Sequence, residues 1–176
     1  MEDFVKKAVL EALLLASGEP AALSSLAKAT DLAEQDIKRL LNELSSDYKL
    51  RNSGVLIAEI AEGYQMVTDP DHAFWIRRFK NINQANKLSQ PALETLAVVA
   101  YKQPVTKLEI DQLRGVNCDG LIKSLLDKRF IKIIGKKETP GRPFLYGTTK
   151  EFLQYFGLQG LSDLPPLSDF LKDEAA

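Results

Sequence analysis

The side chains that do chemistry are scarce in this chain. There is one histidine, His72, and one cysteine, Cys118. A serine–histidine or cysteine–histidine nucleophile would have to use His72, which sits in the helical-looking run DHAFWIRRF. A structural Cys/His zinc site takes about four such ligands, so one of each cannot build it. No GxxxxGK[ST] phosphate loop and no GxGxxG turn is present. Carboxylates are numerous but scattered over helix faces, where solvation accounts for them. The expectation is a protein with no catalytic, metal or cofactor residues. One charged cluster stands out. Between positions 128 and 142, Lys128, Arg129, Lys132, Lys136, Lys137 and Arg142 face only Glu138. Such a cluster could rest on a phosphate backbone, with Lys132, Lys136 and Lys137 as the contacts. As a solvated hairpin, its lysines would instead guard a sheet edge.

Composition narrows the class. The 176 residues hold 23 Lys plus Arg and 24 Asp plus Glu, with 45% hydrophobic residues, which fits a globular protein rather than a disordered or collagen-like one. A single cysteine makes no internal disulfide and suits a reducing compartment. No apolar run reaches the roughly 18 residues of a membrane span. The N-terminal MEDFVKKAVLEALLLASGEP has acids ahead of its lysines and continues as a helix, so it does not read as a signal peptide. The expected location is the cytoplasm.

The elements that position these residues repeat. In the first half, Val5 to Ser17, Leu23 to Ala29 and Ala33 to Tyr48 read as helices, the last with Ile37, Leu40, Leu41 and Leu44 at helical spacing. Val55 to Ile60 alternates as a strand, Glu62-Gly63 reads as the turn, and Tyr64 to Thr68 returns. From Ser89 the order recurs. Pro91 to Tyr101 is a helix with Ser89 as N-cap. Lys107 to Arg114 is a second, with Thr106 and Glu109 spaced as a capping box and Gly115 after it. Asp119 to Arg129 is the third, followed by strands at Phe130 to Ile134 and Phe144 to Thr148. Pro20 and Pro104 lie 84 positions apart, as do Leu26 and Ile110, while Ile37 and Ile122 lie 85 apart. One inserted residue reconciles the two registers.

Three helices followed by a β-hairpin is the winged-helix arrangement. The expected fold is mainly α with small β wings, in two tandem winged-helix domains. The division is 1–69 for the first domain, 70–87 for a connecting helix and linker, 88–157 for the second domain and 158–176 for a proline-containing tail. Phe74, Trp75, Ile76 and Phe79 in the connector need a partner surface, and the aromatic and leucine residues from Phe152 to Leu164 are expected to pack largely on the second domain.

DNA binding is the usual use of this fold, but fold alone does not establish it. Residues 1–80 hold ten bases and thirteen acids, and the third helix of that half is itself acidic. Phosphate binding draws its affinity from cations. The second half holds thirteen bases and eleven acids, and its third helix lacks the Arg, Asn and Gln that read base edges. A DNA-binding regulator using the basic wing is thus the alternative reading. Protein association fits better. The apolar arc of the first helix is wider than the roughly 100° that a one-sided helix needs. Self-association is the simplest cover for the spare face.

Leu88 to Leu167 carries a series of motifs: LSQPALETLA, AYKQP, EIDQLRGV, PGRPFLYGTT and FLQYFGLQGLSDLPPL. In order and spacing they resemble the segregation and condensation protein B family. Lys107 and Gly135-Lys136 depart from the family pattern, which commonly has arginine at the first place and Gly-Arg at the second. The resemblance implies a non-catalytic adaptor, built from two winged-helix domains and needing no cofactor. It implies a homodimer formed by the N-terminal domain. The over-apolar first helix supplies Leu10, Leu13 and Leu14 as interface candidates. It implies binding to the kleisin, segregation and condensation protein A, and through it to the SMC ATPase that condenses and partitions chromosomes. Tyr101, Arg142, Phe144 and Tyr146 are the kleisin-binding candidates. DNA contact would be indirect or weak, and the location cytoplasmic, beside the nucleoid.

Overall fold

The structure, a computed structural model, describes residues 2–80 and 88–166. The expected linker residues 81–87 and the tail beyond 166 lie outside the described residues. The described chain divides into two compact units, residues 2–80 with 157–166, and residues 88–156.

In the first unit, α1 (Asp3–Ser17), α2 (Leu23–Thr30) and α3 (Glu34–Leu50) precede β1 (Val55–Ile60) and β2 (Gly63–Thr68). Gly18 ends α1 in the left-handed region at φ 65°, where a side chain would be strained. The core joins Leu10 and Leu14 of α1 to Leu26, Ile37, Leu40, Leu41 and Leu44, and the hairpin adds Ile57 and Tyr64. β1 and β2 pair antiparallel from Val55↔Thr68 to Ile60↔Gly63. The turn is Ala61-Glu62, both at positive φ, not the expected Glu62-Gly63. Gly63 belongs to the strand for a steric reason. A Cβ there would lie 2.9 Å from the Ala21 carbonyl oxygen, because Ala21 and Tyr64 form an antiparallel bridge. A 3-10 turn over Pro70–His72 then leads into α4 (Ala73–Lys80).

The segment from residue 157 onward returns to this unit. The amides of Ala61 and Glu62 donate to the carbonyls of Leu158 and Gln159 at 2.9 and 3.0 Å. The tail residues expected on the second domain are thus divided between the units. Those up to Phe156 stay with the second, and Leu158 caps the first unit's hairpin turn.

The second unit holds α5 (Gln90–Lys102), β3 (Val105–Thr106), α6 (Lys107–Arg114), α7 (Asp119–Asp127), β4 (Ile131–Lys136), β5 (Phe144–Thr148) and α8 (Lys150–Phe156). Ser89 occupies the N-cap of α5 without a side-chain bond. At α6 the capping box is complete. The Thr106 hydroxyl accepts from the Glu109 amide at 3.3 Å, and the Glu109 carboxylate accepts from the Thr106 amide at 2.8 Å. α7 stops at Asp127, two residues short of the expected end, because Arg129 turns left-handed at φ 60° and swings the chain into β4. The strand order is β3-β5-β4, with a bulge between Ile133 and Gly135. β3 was not anticipated. Val105 pairs with Tyr146, and Val105 lies 84 positions after Ala21, which bridges Tyr64 in the first unit. The core gathers Leu96, Val99, Ile110, Leu125 and Ile131.

Candidate interaction surfaces

Helices α1 and α3 each bury one stripe in the first unit's core, and α1 leaves a second stripe outside. Leu10 and Leu14 are 0% and 1% exposed. They form the unit's own core, so they are corrected here from interface candidates to fold residues. Leu13 is half-buried against the same cluster. The uncovered stripe runs through Phe4, Ala8, Val9, Ala12 and Leu15, with Phe4 and Leu15 the most open at 69% and 70%. At about 100° per residue these positions share one face, opposite the Leu10–Leu14 side.

Charges knit α1 to α3 beside that stripe. Lys7 bridges Glu43 and Asp47 at 3.0 and 3.2 Å, and Arg39 bridges Asp3 and Glu43 at 2.9 and 2.8 Å. The Lys6 and Arg39 cations hold the Asp3 carboxyl below its usual range, and Lys7 and Arg39 do the same for Glu43. Two of the four acids of α3, Glu43 and Asp47, are therefore paired with neighbouring cations, while Glu34 and Asp36 stay exposed. On α4, Phe74, Trp75 and Phe79 stay exposed, the first two stacked edge to face at 5.2 Å. His72 is exposed at the end of the 3-10 turn rather than inside a helix.

The second unit presents a groove and a wing. An open cleft of about 410 Å³ is lined by Lys102, Pro104, Val105, Glu109, Gln112 and Leu113. Leu108, Leu113 and Val116 stand exposed on and after α6. The cis Gln103–Pro104 peptide turns the chain there, and the Gln103 side chain fixes β5 by accepting from the Thr148 amide at 2.8 Å. No signal in the sequence pointed to this cleft, because its walls come from α5, β3 and α6 and no single element shows it.

The kleisin-binding candidates separate. Tyr146 is buried in the sheet between Val105 and Ile133, so it is corrected to a fold residue. Phe144 is 46% exposed near the wing tip, with the Lys136 ammonium 5.1 Å above its ring. Arg142 is exposed in the Gly141-Arg142-Pro143 return, its guanidinium 3.7 Å from Glu138. Tyr101 is half-buried at the end of α5.

Of the three lysines considered for phosphate contact, Lys132 and Lys136 are exposed on β4. Lys137 is not available in the same way. Its ammonium donates to Glu109 at 2.6 Å and ties the wing to the start of α6. Lys137, with the amide and hydroxyl of Thr106, holds the Glu109 carboxyl down at about 2.

Among the described residues no helix is long and apolar enough to cross a membrane. Residues 8–167 match the profile of the segregation and condensation complex subunit ScpB. Segregation and condensation protein B of Syntrophotalea carbinolica is 50% identical over 170 residues, covering 97% of this chain and 86% of that protein. A crystal structure of ScpB from Mycobacterium tuberculosis aligns over 90% of this chain and 98% of that one, at 34% identity and a TM-score of 0.45. A dimer of the ScpB N-terminal domain complexed with ScpA peptide aligns over 42% of this chain and 93% of that one, at 28% identity and a TM-score of 0.41. On the profile match and the 50% identity, the chain belongs to the segregation and condensation protein B family.

Proposed function

We propose that the chain is a non-catalytic adaptor that dimerises through its first unit and binds the kleisin, segregation and condensation protein A. Through the kleisin it joins the SMC ATPase in chromosome condensation and partition, in the cytoplasm beside the nucleoid. Residues 1–69 are assigned the dimer contact and residues 88–156 the kleisin contact, with 70–80 and 157–166 packed in the first unit. The observation that carries the reading is an uncovered apolar face on each of two units, in a chain of this family. A face with several large exposed apolar side chains is a mark of association in a folded protein.

The α1 stripe from Phe4 to Leu15 is the proposed dimer surface, in place of Leu10 and Leu14. Two copies of one helix face can meet about a two-fold axis, which makes the contact self-complementary. The kleisin segment is assigned to the second unit. Leu108, Leu113 and Phe144 are the apolar anchors for an amphipathic segment, with Tyr101 and Arg142 at its margin.

Calorimetric titration of the full chain with the central segment of the kleisin tests this. Saturable binding is expected. Leu113→Glu combined with Phe144→Glu should weaken it at least tenfold, since both side chains are exposed and the fold does not need them. No heat from the segment, in a chain whose circular dichroism melt is normal, overturns the adaptor reading.

A further inference from the structure

We propose that the wing of the second unit is a sequence-independent contact surface for the phosphate backbone of duplex DNA, which goes beyond the adaptor reading. Seven cations and two carboxylates lie between Lys123 and Arg142. The rest of the chain holds sixteen cations and twenty-two carboxylates. The positive charge is thus concentrated in one stretch, from α7 through the wing, of an otherwise acidic chain.

Five of these seven cations also lack an acidic partner, Lys137 and Arg142 being paired with Glu109 and Glu138. Lys7, Arg39, Lys107 and Arg114 each hold a carboxylate within about 3 Å. None of the ion pairs among the described residues involves Lys123, Lys128, Arg129, Lys132 or Lys136. All five are exposed. Protection of the edge strand β4 accounts for Lys132 and Lys136. It does not account for Lys123 on α7, nor for Lys128 and Arg129 in the turn before the strand.

Spacing and charge select the partner. Across the bulge, Lys132 and Lys136 face Gly147 and Phe144 on β5, which places them about 10 Å apart at roughly 3.3 Å per residue. One carboxylate or one phosphate does not reach both, whereas a duplex carries a negative charge about every 1.7 Å of its axis. A bilayer is a continuous anionic plane and would also repel the acidic remainder of the chain. A duplex meets the wing locally, and charges beyond about 8 Å are screened at physiological salt. The exposed residues of α7 include Asp119 and Asp127, one at each end. That helix is not suited to enter a groove, so the contact carries no base reading.

The test is fluorescence anisotropy of the full chain with two 30-base-pair duplexes of unrelated sequence, across about 25 to 200 mM salt. Both duplexes should bind alike. The slope of log affinity against log salt should be near −3 to −4, at roughly 0.9 per phosphate contact. The triple variant Lys128→Glu, Lys132→Glu, Lys136→Glu should lose at least tenfold in affinity and flatten the slope. The control Lys28→Glu, Lys38→Glu, Lys49→Glu makes the same charge change on exposed helix positions of the first unit and should stay within about twofold. Where the triple variant loses its fold by circular dichroism, Lys132→Gln and Lys136→Gln singly should each flatten the slope by about one. Three results overturn the proposal. These are no duplex binding at 25 mM salt, equal loss in both triple variants, or attachment to phosphatidylglycerol vesicles without attachment to duplex.

Discussion

The two wings of this molecule stand on one plan and carry opposite charge. In the first, Val55 to Thr68 holds Glu59 and Glu62 and no lysine or arginine. In the second, Lys132, Lys136, Lys137 and Arg142 oppose Glu138 alone. The frames beneath them match closely. Each has three helices and a hairpin, and each hairpin is joined by the segment after the first helix, through Ala21 in one and Val105 in the other. Apolar spacing is held by the need to bury a core, so it persists through the repeat. Surface charge is free of that need, and there the two units differ.

The largest effect should come from two adjacent residues of α1. Leu14→Ala removes a fully buried side chain and should cost about 2–5 kcal/mol, read by denaturant unfolding of the first unit. Leu15→Asp sits on the open stripe and should leave that stability nearly unchanged while lowering the mass of the proposed dimer. The same cost at both positions would erase the distinction between core and surface on this helix.

The next test compares two glycines. A Cβ at Gly63 meets the backbone of Ala21 at 2.9 Å, which has little room to yield. Gly63→Ala should therefore cost about 1–3 kcal/mol, the usual range for overpacking. At Gly147 the nearest atoms are side-chain ends, Gln103 Oε1 at 2.9 Å and Ile134 Cδ1 at 3.0 Å. Gly147→Ala should cost less, and a thermal melt of each variant gives the order.

Caps offer a smaller contrast. The second helix of the second unit has its Thr106–Glu109 box, while α2 starts at Ala22 with no side-chain cap. Thr106→Ala should lose about 0.5–2 kcal/mol and Ala22→Asp should gain a comparable amount, read by chemical denaturation. Opposite signs sharpen the comparison between the units, and equal signs break it.

The smallest effect concerns acid. In the fold the Lys137 ammonium, with Thr106, holds the Glu109 carboxyl down at about 2, below its ordinary value of 4.5. A lowered carboxyl stabilises the fold above its unfolded value and loses that contribution as pH falls. The second unit should therefore weaken between about pH 4.5 and 2. Glu109→Gln should remove that part of the pH dependence in a titration followed by circular dichroism. Because the pair is well exposed, the effect should shrink in high salt.

Much of the frame was legible from periodicity and punctuation. Lys107 to Arg114, Phe144 to Thr148 and Val55 to Ile60 have the expected limits, because a cap, a glycine or an alternating run marks each one. The surfaces were less legible. A helical wheel shows that α1 is apolar on more than one side, but not which side meets α3. Leu10 and Leu14 face the core, while Phe4, Ala8, Val9, Ala12 and Leu15 are left open. Tyr146 looked available until β3 covered its strand, and a two-residue strand leaves no period to detect. Lys137 looked like its neighbours because its partner Glu109 is 28 positions away.

Light-scattering mass on size exclusion, for the full chain alone and with the kleisin central segment, tests the adaptor most directly. The chain of 19.6 kDa should elute with twice that mass and gain mass when the segment is added. A monomer that ignores the segment would contradict it.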